Sequence, residues 1–359
     1  MKEGWKPSDI ATGEFNIYEV TIEEASVGKF YDELSMVVDF NNNIHILCSY
    51  KDNVNRYLDY ITDESGAYTE LQLKIIDGYT GIISPVLTID NSGNLYGCFY
   101  NGSYNEIDYI EKPCGGDWQN FGYYIGTGYS LVAGLDITTD ITGKVHLIVS
   151  DSIDDNNIKI LYYTNTNGEW TTQQLDNIDP LTQIECYVKK IAVDMNGFVH
   201  ILGKRPYPYN TLIYITNQNG WDYREITNTP GYIAFCDLTV DRNNYPHASF
   251  STDGDCALNY LTYHTDYNNL EWQKIDSDID MGNGYYNSIA VDYNGNVHIS
   301  CSSGGYSALK YITNISGSWH TYIIDDIIIT SSGIALINET YPVIAYSGNN
   351  SLKIARITW

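Results

Sequence analysis

Short runs along this chain alternate apolar with small or polar residues, and tight polar turns break them up. That is the period-two signature of strands. One phrase returns with little change: VDFNNNIHI at 38–46, IDNSGNLYG at 89–97, TDITGKVHL at 139–147, VDMNGFVHI at 193–201, VDRNNYPHA at 240–248 and VDYNGNVHI at 291–299. Its aspartates are Asp39, Asp90, Asp140, Asp194, Asp241 and Asp292, spaced 47 to 54 residues apart. An eroded seventh copy, LINETYPVI at 336–344, puts Ile337 at the aspartate position.

Residues 288–325 show what one repeat contains. Ile289 and Val291 alternate with smaller residues up to Asp292, Tyr-Asn-Gly-Asn turns the chain, and VHIS starts a second strand. A glycine-rich loop, ALKYIT, a Ser-Gly-Ser turn and WHTYIID complete it. Four short antiparallel strands per repeat, repeated to the end of the chain, predict an all-β, seven-bladed β-propeller forming a single domain over 1–359. The last repeat supplies only three strands, SGIALIN, YPVIAYS and SLKIARITW. The fourth is expected from FNIYEVTI at 15–22, with Phe15 and Tyr18 spaced like Trp319 and Tyr322, so that the N-terminal strand completes the C-terminal blade. Loss of residues 1–22 is then expected to destabilise the whole ring.

Repetition marks scaffold. His45, His146, His200, His247 and His298 fall at one blade position, where the other copies have Tyr96 and Val343. A ring keeps these histidines on separate blades, so they are expected to be buried and hydrogen-bonded, with no metal bound among them. Trp118, Trp170, Trp221, Trp272 and Trp319 open the outermost strands, where a large ring would cover the seam between blades. The repeated aspartates are expected to cap the following turn.

Function is sought where the blades differ. Four residues before the marker stand Ser35, Val86, Asp136, Lys190, Asp237, Ser288 and Gly333. Alternation aims this position at the central channel, and Asp136, Lys190 and Asp237 form a polar, asymmetric set near one rim. A salt-bridged rim is one reading. In the other, Asp136 and Asp237 act as acid and base with Lys190 separating their pKa values. Loops at that rim carry an aromatic residue on nearly every blade. Tyr187, Tyr207, Tyr209, Tyr232, Tyr285 and Tyr286, with Arg205 beside them, are the candidate ligand contacts for a sugar, a peptide or a carboxylate.

The composition narrows the partners. The net charge is −26, from 45 acidic against 19 basic residues, a field that repels nucleic acid and anionic bilayers. Tyr is abundant at 34 residues, which suits strands and gives the aromatic rim a general explanation as well. Seven cysteines without a CxxC spacing are expected to stay mostly reduced. No cofactor is expected. The acidic stretch Asp151–Asp155 offers carboxylates to calcium, though without the spacing of a recognised calcium loop. The N-terminal residues lack the apolar run of a signal peptide, so the chain is expected in the cytoplasm if complete and outside the cell if a leader has been removed.

The phrases Asp-x-x-Gly-x-x-His and Gly-x-Trp, spread over essentially the whole chain, resemble the broad sialidase-like, BNR-like class of propeller repeats. That resemblance implies carbohydrate binding or carbohydrate chemistry. The Ser-x-Asp-x-Gly-x-x-Trp box of sialidases is absent, and the chain has five arginines (Arg56, Arg205, Arg224, Arg242 and Arg356) from which to build their three-arginine clamp. Sialidase activity is not expected. Propeller polysaccharide lyases, which use His or Tyr beside a basic residue, keep Arg205 and its tyrosines in view. Three readings follow: a non-enzymatic module binding a glycan or protein, a glycoside hydrolase or lyase with its site at the channel mouth, and a scaffold in a larger assembly.

Overall fold

The computed structural model describes residues 19–77, 84–120, 125–126, 131–154, 157–166, 169–177, 186–205, 211–226, 229, 231–263, 270–277, 286–303 and 307–359. Seven antiparallel sheets follow one another along the chain. Their innermost strands are Tyr31–Val38, Val86–Ile89, Leu131–Thr139, Tyr187–Val193, Ile233–Val240, Ser288–Val291 and Ile329–Ile337. Each packs against the next, and the seventh packs against the first, so the ring is closed. Six blades have four strands. In the second, two short segments, Gln119–Asn120 and Ile125–Gly126, both lie along Glu106–Lys112.

The N-terminal strand closes the ring as expected, in a different register. Glu19–Val27 pairs with Ser351–Thr358, the outermost C-terminal strand, and Thr21 faces Arg356. In blade 6, His320 faces Thr313, which faces His298, while in blade 7 Arg356 faces Val343. Val20 therefore stands where Trp319 stands in its own blade. Phe15 and Tyr18 lie outside the described residues. Trp359, the last residue, joins the seam between blades 6 and 7 and stacks on His298 with ring centroids 5.7 Å apart.

The core is divided into seven apolar clusters, one at each seam. Five repeated tryptophans lie across these seams. Trp118 meets Tyr60 edge-on at 5.1 Å, Trp170 meets Tyr109 at 5.2 Å and Trp221 meets Tyr162 at 5.2 Å, each across a seam; Trp319 lies tilted on Tyr260 at 5.0 Å, and Trp272 meets Phe250 of its own blade at 6.0 Å. Such geometry sets the positive ring edge against the negative ring face and adds to area burial.

The marker phrase is a turn with its own cap. Asp292 Oδ1 accepts the amides of Asn294 and Asn296, and every other marker aspartate accepts the matching pair. The third residue after each aspartate has positive φ and is Gly or Asn, the residues that tolerate it. Behind the turn, His45, His146, His247 and His298 each bond through Nδ1 to a tyrosine hydroxyl on the third strand at 2.5–2.6 Å, and His200 does so with Tyr214. Where Tyr96 replaces histidine, its hydroxyl donates directly to Asp90 Oδ2 at 3.0 Å. Burial lowers the pKa of His45, His146 and His298 and keeps them neutral.

One seam is irregular. Trp221 donates its indole N–H to Gln173 on the outer strand of the preceding blade, at 2.8 Å. Gln173 faces Tyr162 in the ladder, and Leu71 faces Tyr60 at the equivalent place in blade 1. Trp118, packed over Tyr60, thus meets Leu71 instead of an amide, and its buried Nε1 has no partner among the described residues. Leu71 is 52 % exposed. Leu71→Gln is expected to supply the acceptor and stabilise the fold by ~1 kcal/mol in denaturant unfolding; a neutral or destabilising result would show that the indole already has a partner, such as water.

Candidate functional site

The structure brings Asp136, Lys190 and Asp237 together. Lys190 Nζ lies 3.3 Å from Asp237 Oδ1 and 3.8 Å from Asp136 Oδ1. All three sit well inside their strands, so the cluster lies along the channel and not at its mouth. Both carboxylates have a second task. Asp136 Oδ2 accepts the Ile191 amide of blade 4, and Asp237 Oδ2 accepts the Ile289 amide of blade 6, each at 2.9 Å. Ser35 Oγ accepts the Leu87 amide of blade 2 in the same way. The upstream position is therefore a latch between blades as well as a charged lining.

Burial pushes the Asp136 carboxyl up to about 6, against the opposing pull of Lys190. Burial works against the Lys190 charge too, but Asp136 and Asp237 outweigh it and hold the ammonium above the usual lysine range. The two Oδ1 atoms can be no further apart than the sum of their distances to Lys190 Nζ, which keeps them below the upper limit of the roughly 5–10 Å span that glycoside chemistry uses.

A second group gathers where the inner strands begin. Tyr187 opens the inner strand of blade 4, and Lys189 Nζ lies 6.0 Å from its ring centroid. Lys204 Nζ sits 4.1 Å from the Tyr232 ring centroid and donates to the Ile233 carbonyl at 3.0 Å. Tyr232, 38 % exposed, is also held by its own amide, which donates to Asp253. Tyr286 packs on Phe235 at 4.9 Å, and its carbonyl accepts from Ser332. Bulges interrupt the inner-strand ladders of blades 1, 3, 4, 5 and 7 near this end, and bulges re-aim side chains. Arg205 is ion-paired with Glu225 at 2.7 Å and largely buried, so its charge is balanced within its own blade. Tyr207, Tyr209 and Tyr285 lie outside the described residues.

One charged residue of this end, Glu33, escaped the sequence reading. Burial pushes Glu33 of blade 1 up to about 7, opposed by Arg56, and Glu33 also interacts with Lys189 of blade 4. Burial lowers Lys189, and neighbouring Lys204 lowers it further. The electrostatic influence of Lys189 on Glu33 was not legible in the sequence, because it acts between non-neighbouring blades.

The calcium expectation at Asp151–Asp155 changes. Asp151 is buried in the strand Val145–Asp154 and not set in an open loop, and Asp155 lies outside the described residues. A different group has the disposition to hold an ion: Asp39, His45 and Glu64 bring their ligand atoms within 4.8 Å of one another. All seven cysteines are free thiols, as expected, and no helix is long and apolar enough to cross a membrane among the described residues.

No protein-family model matches this chain, and no curated protein matches it. Solved structures do match in fold. Polysaccharide lyase Uly1 superposes with a TM-score of 0.58 at 9 % identity, covering 95 % of this chain and 99 % of its own. The likeness is one of fold, a β-propeller. The Aleuria aurantia lectin in complex with α-methyl-L-fucoside gives 0.53 at 12 % identity, with 78 % and 95 % covered. NanB sialidase from Streptococcus pneumoniae gives 0.51 at 12 % identity, with 92 % and 69 % covered. At such identities the shared property is the propeller itself.

Proposed function

We propose that this protein is a non-enzymatic module that binds a glycan on the tyrosine-bearing face, at Tyr187, Tyr232 and Tyr286. The observation that carries this reading is the mounting of Tyr232: a partly exposed ring fixed above Lys204 at 4.1 Å and anchored through its backbone to Asp253. A ring held this way loses little freedom when a sugar stacks on it. The channel acids favour binding over catalysis, because Asp136 and Asp237 are already engaged by Lys190 and by amides of the next blade. A lectin, a sialidase and a lyase among the structures sharing the fold support a carbohydrate over a protein partner.

A glycan array containing neutral and uronate-bearing oligosaccharides tests this. Binding is expected to weaken about tenfold or more in Tyr187→Ala and Tyr232→Ala, each ring being worth on the order of 1.5 kcal/mol. No binding, or binding that neither change affects, would remove the proposal. A hydrolytic reading rests on the elevated Asp136 and on its spacing from Asp237. Release of reducing ends that Asp136→Asn abolishes would put that reading first, and new unsaturated uronate ends would instead favour a lyase using the rim tyrosines.

A further inference from the structure

We propose that Asp39, His45 and Glu64 form a binding site for one zinc-class divalent cation, on the face of the ring opposite the tyrosines. Five blades carry the Asp–His pair, and it has much the same geometry in each. His Nε2 lies 3.7 Å from Asp39, 3.4 Å from Asp140, 3.6 Å from Asp194, 3.5 Å from Asp241 and 3.6 Å from Asp292. Blade 1 adds a third donor. Glu64 follows the third strand two residues after Thr62, the residue facing His45. At the same offset after the threonine facing each marker histidine stand Thr166, Gln218, His264 and Ile315. Among the described residues, only the blade 1 set was found to gather three such ligand atoms.

The surroundings suit a ligand role. His45 is 1 % exposed, and its Nδ1 is tied to the Tyr60 hydroxyl at 2.6 Å. That bond fixes the ring and directs Nε2 toward the carboxylates, the arrangement usual for a metal-binding histidine. Asp39 Oδ1 is committed to the turn amides, while Oδ2, which accepts from Asn43 Nδ2, is the oxygen facing Nε2. Glu64 is the adjustable donor. Its partly exposed carboxylate is approached by Lys112 of blade 2, with Nζ 3.4 Å from Oε2, and a dication would displace that ammonium. One imidazole nitrogen with two carboxylates favours a borderline first-row ion such as zinc over calcium, which selects oxygen donors.

The Asp–His pairs of blades 3, 4 and 6, which have Thr166, Gln218 and Ile315 at the Glu64 offset, serve as internal controls. Titration calorimetry of the chelator-treated full chain with zinc chloride, on a Cys114→Ser background because Cys114 is exposed, is expected to give one ion per chain. Glu64→Gln is expected to weaken binding at least tenfold with an unchanged melting temperature without metal. Lys112→Met, which removes the competing ammonium, is expected to tighten it. X-ray absorption should report one nitrogen among oxygen ligands near 2.0–2.1 Å. No saturable uptake, an affinity unaffected by Glu64→Gln, several equivalent ions per chain, or preference for calcium would each overturn the assignment.

Discussion

Lys190→Met is expected to lower stability by about 2–3 kcal/mol at pH 7. Removing one member of a largely buried ion group strands the others; the loss falls short of the roughly 3–5 kcal/mol of a fully buried pair because the Lys190 side chain is 35 % exposed. The pH dependence identifies the cause. Asp136 has a folded value of about 6, above the roughly 3.9 of an unfolded aspartate. The native state therefore holds its proton more tightly, and the Asp136 contribution to stability falls as pH rises from about 4 through 6. Without Lys190 the folded value climbs further, so the deficit should be largest at pH 7 and shrink toward pH 4.5. Urea unfolding of both proteins at the two pH values measures this. An equal deficit at both would mean that lost packing, not stranded carboxylates, explains the effect.

Deleting residues 1–27 is expected to be the most damaging change to the scaffold. It removes the whole ladder between Glu19–Val27 and Ser351–Thr358, and leaves the outer edge of blade 7 open. It also removes Ser26, which bonds Tyr31 and Glu70. The adjoining Lys29, which bridges Asp59 and Glu70, would lose its fixed position. Counting about 1 kcal/mol net for each ladder hydrogen bond, the loss is on the order of 5 kcal/mol, or a melting temperature lower by roughly 10 °C. Scanning calorimetry and light scattering should show early melting and concentration-dependent association. A truncated chain that melts like the intact one would mean that the ring closes without this strand.

The scaffold was legible because each repeated residue does a local job. An aspartate with Gly or Asn three positions later specifies its own turn, and a tryptophan opening an outer strand covers the neighbouring seam. Seven blades follow from counting those units. The closing register was not legible, because ladder pairing and Trp359 set it, while the sequence comparison relied on the spacing of Phe15 and Tyr18. At the site, the sequence singled out Asp136, Lys190 and Asp237, and the structure brings them together. Their depth was missed, since strand length, not the marker aspartate, determines where a residue falls along the channel. Glu33 and Glu64 were missed for a common reason: each matters through residues distant in sequence, Lys189 for one and the Asp39–His45 pair for the other.

The latches at Ser35, Asp136 and Asp237 stand on alternate blades and tie the first blade to the second, the third to the fourth and the fifth to the sixth. Seven is then three couples and one single leaf. The single leaf carries Gly333 at that position, where a β-carbon would come within 3.1 Å of Leu34 and Met36 side-chain atoms of the first blade. Asp-Ile-Thr-Thr-Asp at 136–140 and Asp-Leu-Thr-Val-Asp at 237–241 carry nearly the same letters, as the first members of successive couples would. Because each latch reaches only the next blade, removing a whole couple or the single leaf would leave every remaining latch facing its own amide, whereas a cut made within a couple would strand one latch.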